Sequence, residues 1–163
     1  MKFLGRSDVA DFMERQKIGK IDSADLKSIT YKTPTEFGRL LASMRLIFEN
    51  VPSGEWSLAI IESAGIWPSW EDKNLYGMMR RSKLGSVEWG YGEGHLFEPH
   101  ELADLTSFVT VFTNFRWDFK VINQSNSLRL NVSHDDNVNL FLRERDNNFI
   151  QELSKVIDQK IVD

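Results

Sequence analysis

Apolar residues along this chain repeat with two different periods, and the switches between them predict the elements. Ser7 to Gln16 reads as a short helix, with Ser7 as cap, Asp8 and Asp11 in its first turn and Gly19 as its stop. A second helix carries the strongest signals. Thr33 is placed to cap it, Pro34 suits the first helical position and Glu36 completes a capping box. Phe37, Leu40, Leu41, Met44, Ile47 and Phe48 then recur at helical spacing until Asn50-Val51-Pro52-Ser53-Gly54 breaks the pattern. Glu55 to Ser63 reads as a mostly buried strand. A third helix, capped by Ser69, runs to about Ser82 with Leu75, Met78 and Met79 inward. A fourth starts at Pro99 and puts Leu102, Leu105, Phe108, Val109 and Phe112 on one face. A fifth spans about Asn148 to Ile161.

Between the last two helices the period changes to two. Trp117, Phe119 and Val121 alternate with Asp118 and Lys120; Leu128, Leu130 and Val132 alternate with Arg129 and Asn131; Val138, Leu140 and Leu142 alternate with Asn139, Phe141 alone breaking the pattern. Gln124-Ser125-Asn126 and His134-Asp135-Asp136-Asn137 are turn compositions, so the three strands should form an antiparallel meander. Ile21 to Tyr31 fits neither period, and residues 85–97, with four glycines, read as a loop. The sum is a single α+β domain over residues 1–163, with helices packed on one face of a small, mainly antiparallel sheet.

Composition narrows the function classes. With 41% hydrophobic and 27% charged residues in 163 positions, the chain has the profile of a folded domain. The lack of cysteine excludes disulfide staples, thiolate metal sites and cysteine nucleophiles. No run approaches the ~18 apolar residues of a membrane span, and Met1 to Arg6 opens no signal-peptide core. The expected location is cytoplasmic, with no membrane partner. A net charge of −4 argues against a nucleic-acid partner.

The charge is unevenly placed. No Lys or Arg occurs between Lys83 and Arg116, a window holding Glu88, Glu93, Glu98, Glu101 and Asp104 together with Trp89, Tyr91, His95 and Phe97. Acidic side chains attract a basic partner, and Trp and Tyr supply contact area at low entropy cost. Glu88, Trp89, Tyr91, Glu93 and Glu98 are therefore the candidate partner-binding residues. A plainer reading places Trp89 and Phe97 in the core and lets Glu98 and Glu101 favour a helix N-terminus.

Other chemistry is sparse. Gly90, Gly92 and Gly94 are too evenly spaced for a dinucleotide or phosphate loop, and no lysine follows them. Arg80, Arg81 and Lys83 form a small basic cluster that reads as ordinary surface at a helix C-terminus. His95 and His100 do not share a helix face. His134, Asp135 and Asp136 at a strand end either make a turn or serve acid–base or metal chemistry with His95 or Glu62. No catalytic residue, metal ligand set or cofactor is expected on the leading reading.

The run Gly94-His95-Leu96-Phe97, Glu101, Asp104-Leu105, Trp117-Asp118 and Ser133-His134-Asp135-Asp136 resembles a loosely defined group of uncharacterised bacterial proteins over roughly residues 55–140. They pair a Gly-His-Leu-Phe loop, a helix, a Trp-Asp strand and a Ser-His-Asp turn. The chain departs from their pattern at Glu93, where proline is expected. In type it is also similar to the immunity proteins of bacterial toxin systems, including contact-dependent inhibition. That likeness implies a non-enzymatic inhibitor whose partner is a basic cognate toxin domain, for instance a nuclease. The alternative is a small hydrolytic or metal-dependent enzyme using His134 and neighbouring carboxylates.

Overall fold

The computed structural model describes residues 1–18, 26–63, 70–84, 92–144, 146–159 and 161. Seven strands and five α-helices follow in the order β1 (Lys2–Leu4), α1 (Arg6–Arg15), β2 (Lys27–Lys32), α2 (Phe37–Glu49), β3 (Ser57–Ser63), α3 (Trp70–Leu84), β4 (Gly94–Phe97), α4 (Leu102–Asn114), β5 (Asp118–Asn123), β6 (Leu128–Ser133), β7 (Asn137–Leu142) and α5 (Asn147–Ile157), with a 3₁₀ turn at Pro99–Glu101. The strands form one sheet in the order β1-β4-β3-β5-β6-β7-β2, every neighbouring pair antiparallel. The chain is an α+β domain, as its two periods predict.

Side-chain alternation explains both faces. One row runs across the whole sheet as Phe3, His95, Ala59, Val121, Leu130, Leu140 and Ile29. It lies on the face that meets the main core, beside Trp117, Phe112, Phe108 and the α2 residues Leu40, Met44, Ile47 and Phe48. The adjacent row, Leu4, Gly94, Ile60, Lys120, Asn131, Asn139 and Thr30, lies on the opposite face and changes character midway. Its apolar half joins Leu58, Leu96 and Val9 of α1 in a second, smaller core. Its polar half begins at β5. Both faces of the sheet therefore carry a helix, against the expectation of helices on one face.

Helix α1 is the lightly held element. A fully buried aliphatic side chain contributes roughly 1.5–3 kcal/mol; α1 buries Val9 alone, whereas α2 buries four large apolar side chains. Close approach to β4 compensates in part. A Cβ on Gly94 would lie 2.7 Å from Val9 Cγ2 and 3.0 Å from Leu58 Cδ1, so only glycine lets the helix sit this near the sheet.

Several expectations are corrected. Residues 94–97, read as loop, form the buried strand β4 between β1 and β3. Its sequence Gly-His-Leu-Phe has no polar alternation because both faces are covered. The unassigned stretch before Tyr31 contributes β2, where Ile29 and Tyr31 are buried between exposed neighbours. Helix α2 starts three residues later than its capping signal. The Thr33 N–H is held instead by Asp136 O, and Glu36 takes the N-cap position with its carboxylate on Arg39. Helix α1 is preceded by Gly5, whose N–H donates to Asp8, and not by a Ser7 cap. Helix α5 stops at Ile157 because Asp158 turns left-handed at φ 56°; Asp146 caps its start. The meander β5–β6–β7 forms as expected, and Phe141 breaks the pattern because it faces outward, half-buried.

The β2 edge is partly closed. Gln159 uses its side-chain amide as a one-residue strand, accepting from Lys32 N at 3.1 Å and donating to Lys32 O at 3.0 Å.

Candidate functional site

Helix α3 is rotated relative to its sequence reading, and the site follows from that rotation. Leu75 and Met78, expected inward, are 49% and 59% exposed. Tyr76 and Arg80, four residues apart on one helix face, take the buried positions instead. Arg80 is 1% exposed; its Nη1 donates to Glu93 Oε2 at 3.0 Å, and its guanidinium lies 4.3 Å from the Phe3 ring centroid. A buried guanidinium needs such a partner, because an unpaired charge in a dry interior costs several kcal/mol.

His95 completes the cluster. It is fully buried beneath Phe108, and its Nε2 lies 3.3 Å from the Tyr76 hydroxyl. Burial, and secondarily the Arg80 charge, push the His95 pKa down to about 3. Burial likewise raises the Tyr76 pKa. At neutral pH this leaves a neutral imidazole and a protonated phenol around one ion pair.

Beside this cluster, α3 and α4 leave a groove enclosing about 270 Å³. Tyr76, Phe97, Phe108 and Phe112 form its floor, and Leu75, Met79, Val111 and Phe115 its walls. Asp104 and Ser107 are the polar lining residues. Met1 closes one end, and its amino group is paired with the Glu101 carboxylate. The α4 wall belongs entirely to the stretch without Lys or Arg.

The five candidate partner-binding residues fall into separate places. Glu88, Trp89 and Tyr91 lie outside the described residues. Glu93 is turned to Arg80, and its backbone is tied to β3 through Ile61 N to Glu93 O at 3.1 Å. Glu98 is exposed at the start of the 3₁₀ turn, its N–H donating to Glu101 Oε2 at 2.9 Å. The four residues of strand β4 lie between Glu93 and Glu98, which are five residues apart, about 16 Å of extended chain.

His134 belongs to a braced turn. Asp118 Oδ1 accepts from the His134 backbone N–H at 2.7 Å and lies 2.9 Å from its Nδ1. Nε2 lies 3.4 Å from Asp135 Oδ1. The hydrogen bond and charge of Asp118 raise the His134 pKa above its usual value. Asp136 occupies the left-handed turn position at φ 61° and pairs with Arg116 at 3.3 Å. His95 lies in the core, and Glu62 pairs with Lys120 at 2.6 Å, so neither is a partner of His134. Among the described residues no three His, Asp or Glu side chains cluster as a metal site would require.

Sequence reading missed Tyr76 and took Arg80 for ordinary surface, whereas it is 1% exposed. The available signal was their spacing of four on a helix whose other apolar residues do not form one stripe. Among the described residues no helix is long and apolar enough to cross a membrane. Comparison of the chain with protein-family models, with curated proteins and with solved structures finds no match.

Proposed function

We propose that the chain is an immunity-type inhibitor: a binding protein that captures a basic toxin domain and blocks its active site. The observation that carries this reading is the α3–α4 groove, apolar at its floor and acidic at its margin. Monomeric proteins rarely leave large aliphatic side chains clustered in the open without a use for them. Protein interfaces concentrate their energy in side chains that anchor into such pockets, within a total area of about 1,600 Å². Here the anchor is an apolar residue of the toxin seated over Phe108 and Phe112. Basic neighbours meet Asp104, on a helix α4 that carries no cation. Inhibition of this kind asks no catalytic group of the inhibitor.

The experiment co-expresses the chain with toxin domains encoded beside its own gene and scores growth. The wild type restores growth. Leu75→Lys, a change at an exposed position that places a cation on the groove wall, lowers toxin affinity at least tenfold, about 1.4 kcal/mol, without moving Tm. Failure to protect against any adjacent toxin, or full affinity in the Leu75→Lys protein, overturns the proposal.

A further inference from the structure

The groove between α3 and α4 also constrains the form of what it binds, because its lining offers almost no hydrogen-bonding groups. Apart from Met1, every lining residue belongs to α3, β4 or α4, or to Phe115 at the end of α4. The backbone of each helix is bonded within itself. This holds to the end of α4, where the carbonyls of Val111 and Phe112 accept from Phe115 N at 3.0 Å and Trp117 N at 3.2 Å. Strand β4 has a neighbouring strand on each side. The Ser107 hydroxyl donates to Ala103 O at 2.9 Å, and the Met1 amino group is held by Glu101. Asp104 is the exception: it is exposed, and no ion pair engages it among the described residues.

A partner segment entering as a strand or loop would bury peptide groups with nothing to bond, at roughly 1–3 kcal/mol each. An α-helix brings its backbone already satisfied and presents only side chains. The dimensions agree. On α4 the lining runs from Asp104 to Phe115, about 16 Å along the helix axis. Three side chains on one helix face, at i, i+4 and i+7, cover about 10 Å. The charges agree as well: α4 carries no cation, and Asp104 is its first residue in the lining. We infer that the groove receives an amphipathic α-helix of the partner protein. Apolar side chains at i, i+3 or i+4, and i+7 lie over Phe108 and Phe112 between Leu75 and Val111, and a Lys or Arg reaches Asp104. The inference rests on the toxin-binding reading and adds to it the form of the segment captured.

The test selects peptides on the full chain from two phage-displayed libraries of equal length, one built on a helical scaffold and one closed into loops by a disulfide. Binders come from the helical library and carry apolar residues at i, i+3 or i+4, and i+7 with a Lys or Arg. They lose binding when a central residue is changed to proline, which breaks the helix. Leu75→Lys and Asp104→Lys, both at exposed positions, each weaken them at least tenfold; should one variant fail to fold, the other decides. Binders from the loop library alone, from neither library, or unaffected by a folded variant overturn the inference. They point to a loop, to a non-protein occupant and to a different surface, respectively. Growth protection separates these failures from failure of the reading beneath. Loop binders alone, with protection lost in the Leu75→Lys protein, overturn the helix and leave the toxin groove standing. Helical binders without protection against any adjacent toxin leave the helix-binding groove standing and overturn the immunity reading.

Discussion

Neutralising Glu93 isolates the energy of the buried ion pair. Glu93→Gln keeps the size of the side chain but leaves the Arg80 guanidinium, 1% exposed, without an opposite charge. Breaking a buried pair by removing one partner costs about 3–5 kcal/mol. The lower end applies here for two reasons. Glu93 retains 15% side-chain exposure. The Phe3 ring, 4.3 Å from the guanidinium, continues to attract it in the variant. In a domain of this length each kcal/mol lowers Tm by roughly 2–4 °C, so a loss of about 3 kcal/mol predicts a fall of about 6–12 °C. The assay is thermal and urea unfolding followed by circular dichroism. Glu98→Gln serves as the reference, because Glu98 is exposed and its neutralisation should stay within ~0.5 kcal/mol. The double variant Arg80→Met/Glu93→Gln should recover part of the loss, since it removes the stranded charge and leaves an apolar chain among Phe3 and Tyr76. A Glu93→Gln protein melting within 2–3 °C of wild type (a shift of about 1 kcal/mol or less), or a double variant whose loss equals the sum of the single losses, would refute the reasoning. It would also return Glu93 to the role first read from the sequence, a carboxylate facing a partner.

Three further outcomes test the packing elsewhere. The His95 pKa falls from 6.5 to about 3 on folding, so below pH 6.5 the unfolded chain takes up a proton that the folded chain refuses. Stability from this group is fully present above pH 6.5 and declines as the pH drops, by about 2 kcal/mol at pH 5; His95→Phe should flatten that slope in urea unfolding measured from pH 7 to 5, and an unchanged slope would remove His95 as its source. Gly94→Ala forces a methyl to within 2.7 Å of Val9 and should cost about 1–3 kcal/mol, with relief in the Val9→Ala double variant. Gly77→Ala, on α3 with nothing within 4 Å of the new carbon, should instead stabilise by roughly 0.5–1 kcal/mol; the opposite ranking by Tm would contradict the packing described for α1.

The elements easiest to read were those whose burial is one-sided. The meander strands announce themselves because each has one wet face, so Leu128, Leu130 and Val132 alternate with Arg129, Asn131 and Ser133. Helix α4 likewise shows a clean stripe because its outer face carries Ala103, Asp104 and Ser107. Legibility failed where both faces are covered. Strand β4 is buried on both sides and only four residues long, so it has neither alternation nor length. Its glycine, which suggested a loop, answers instead to the approach of Val9. The capping signal of α2 was overridden by a long-range contact, Thr33 to Asp136, that no local pattern contains. As for the candidate site, the acidic window located α4 but not the groove, because the groove needs α3 in an orientation that its own sequence does not advertise.

That orientation links the buried cluster to the groove. A helix advances 100° per residue, so burying Tyr76 and Arg80 leaves Leu75 and Met79 on one flank and Met78 on the far side. Turning α3 to bury Leu75 and Met78, as simple hydrophobicity would have it, withdraws Arg80 from Glu93 and Phe3 and Tyr76 from His95. It also delivers Leu75 into the space beside Phe108 and Phe112 that now stands open. The ion pair therefore helps to hold α3 in a setting that leaves the apolar groove walls exposed. The setting of α3 seen here satisfies the Arg80–Glu93 pair and the Tyr76–His95 contact while leaving Leu75 and Met78 exposed.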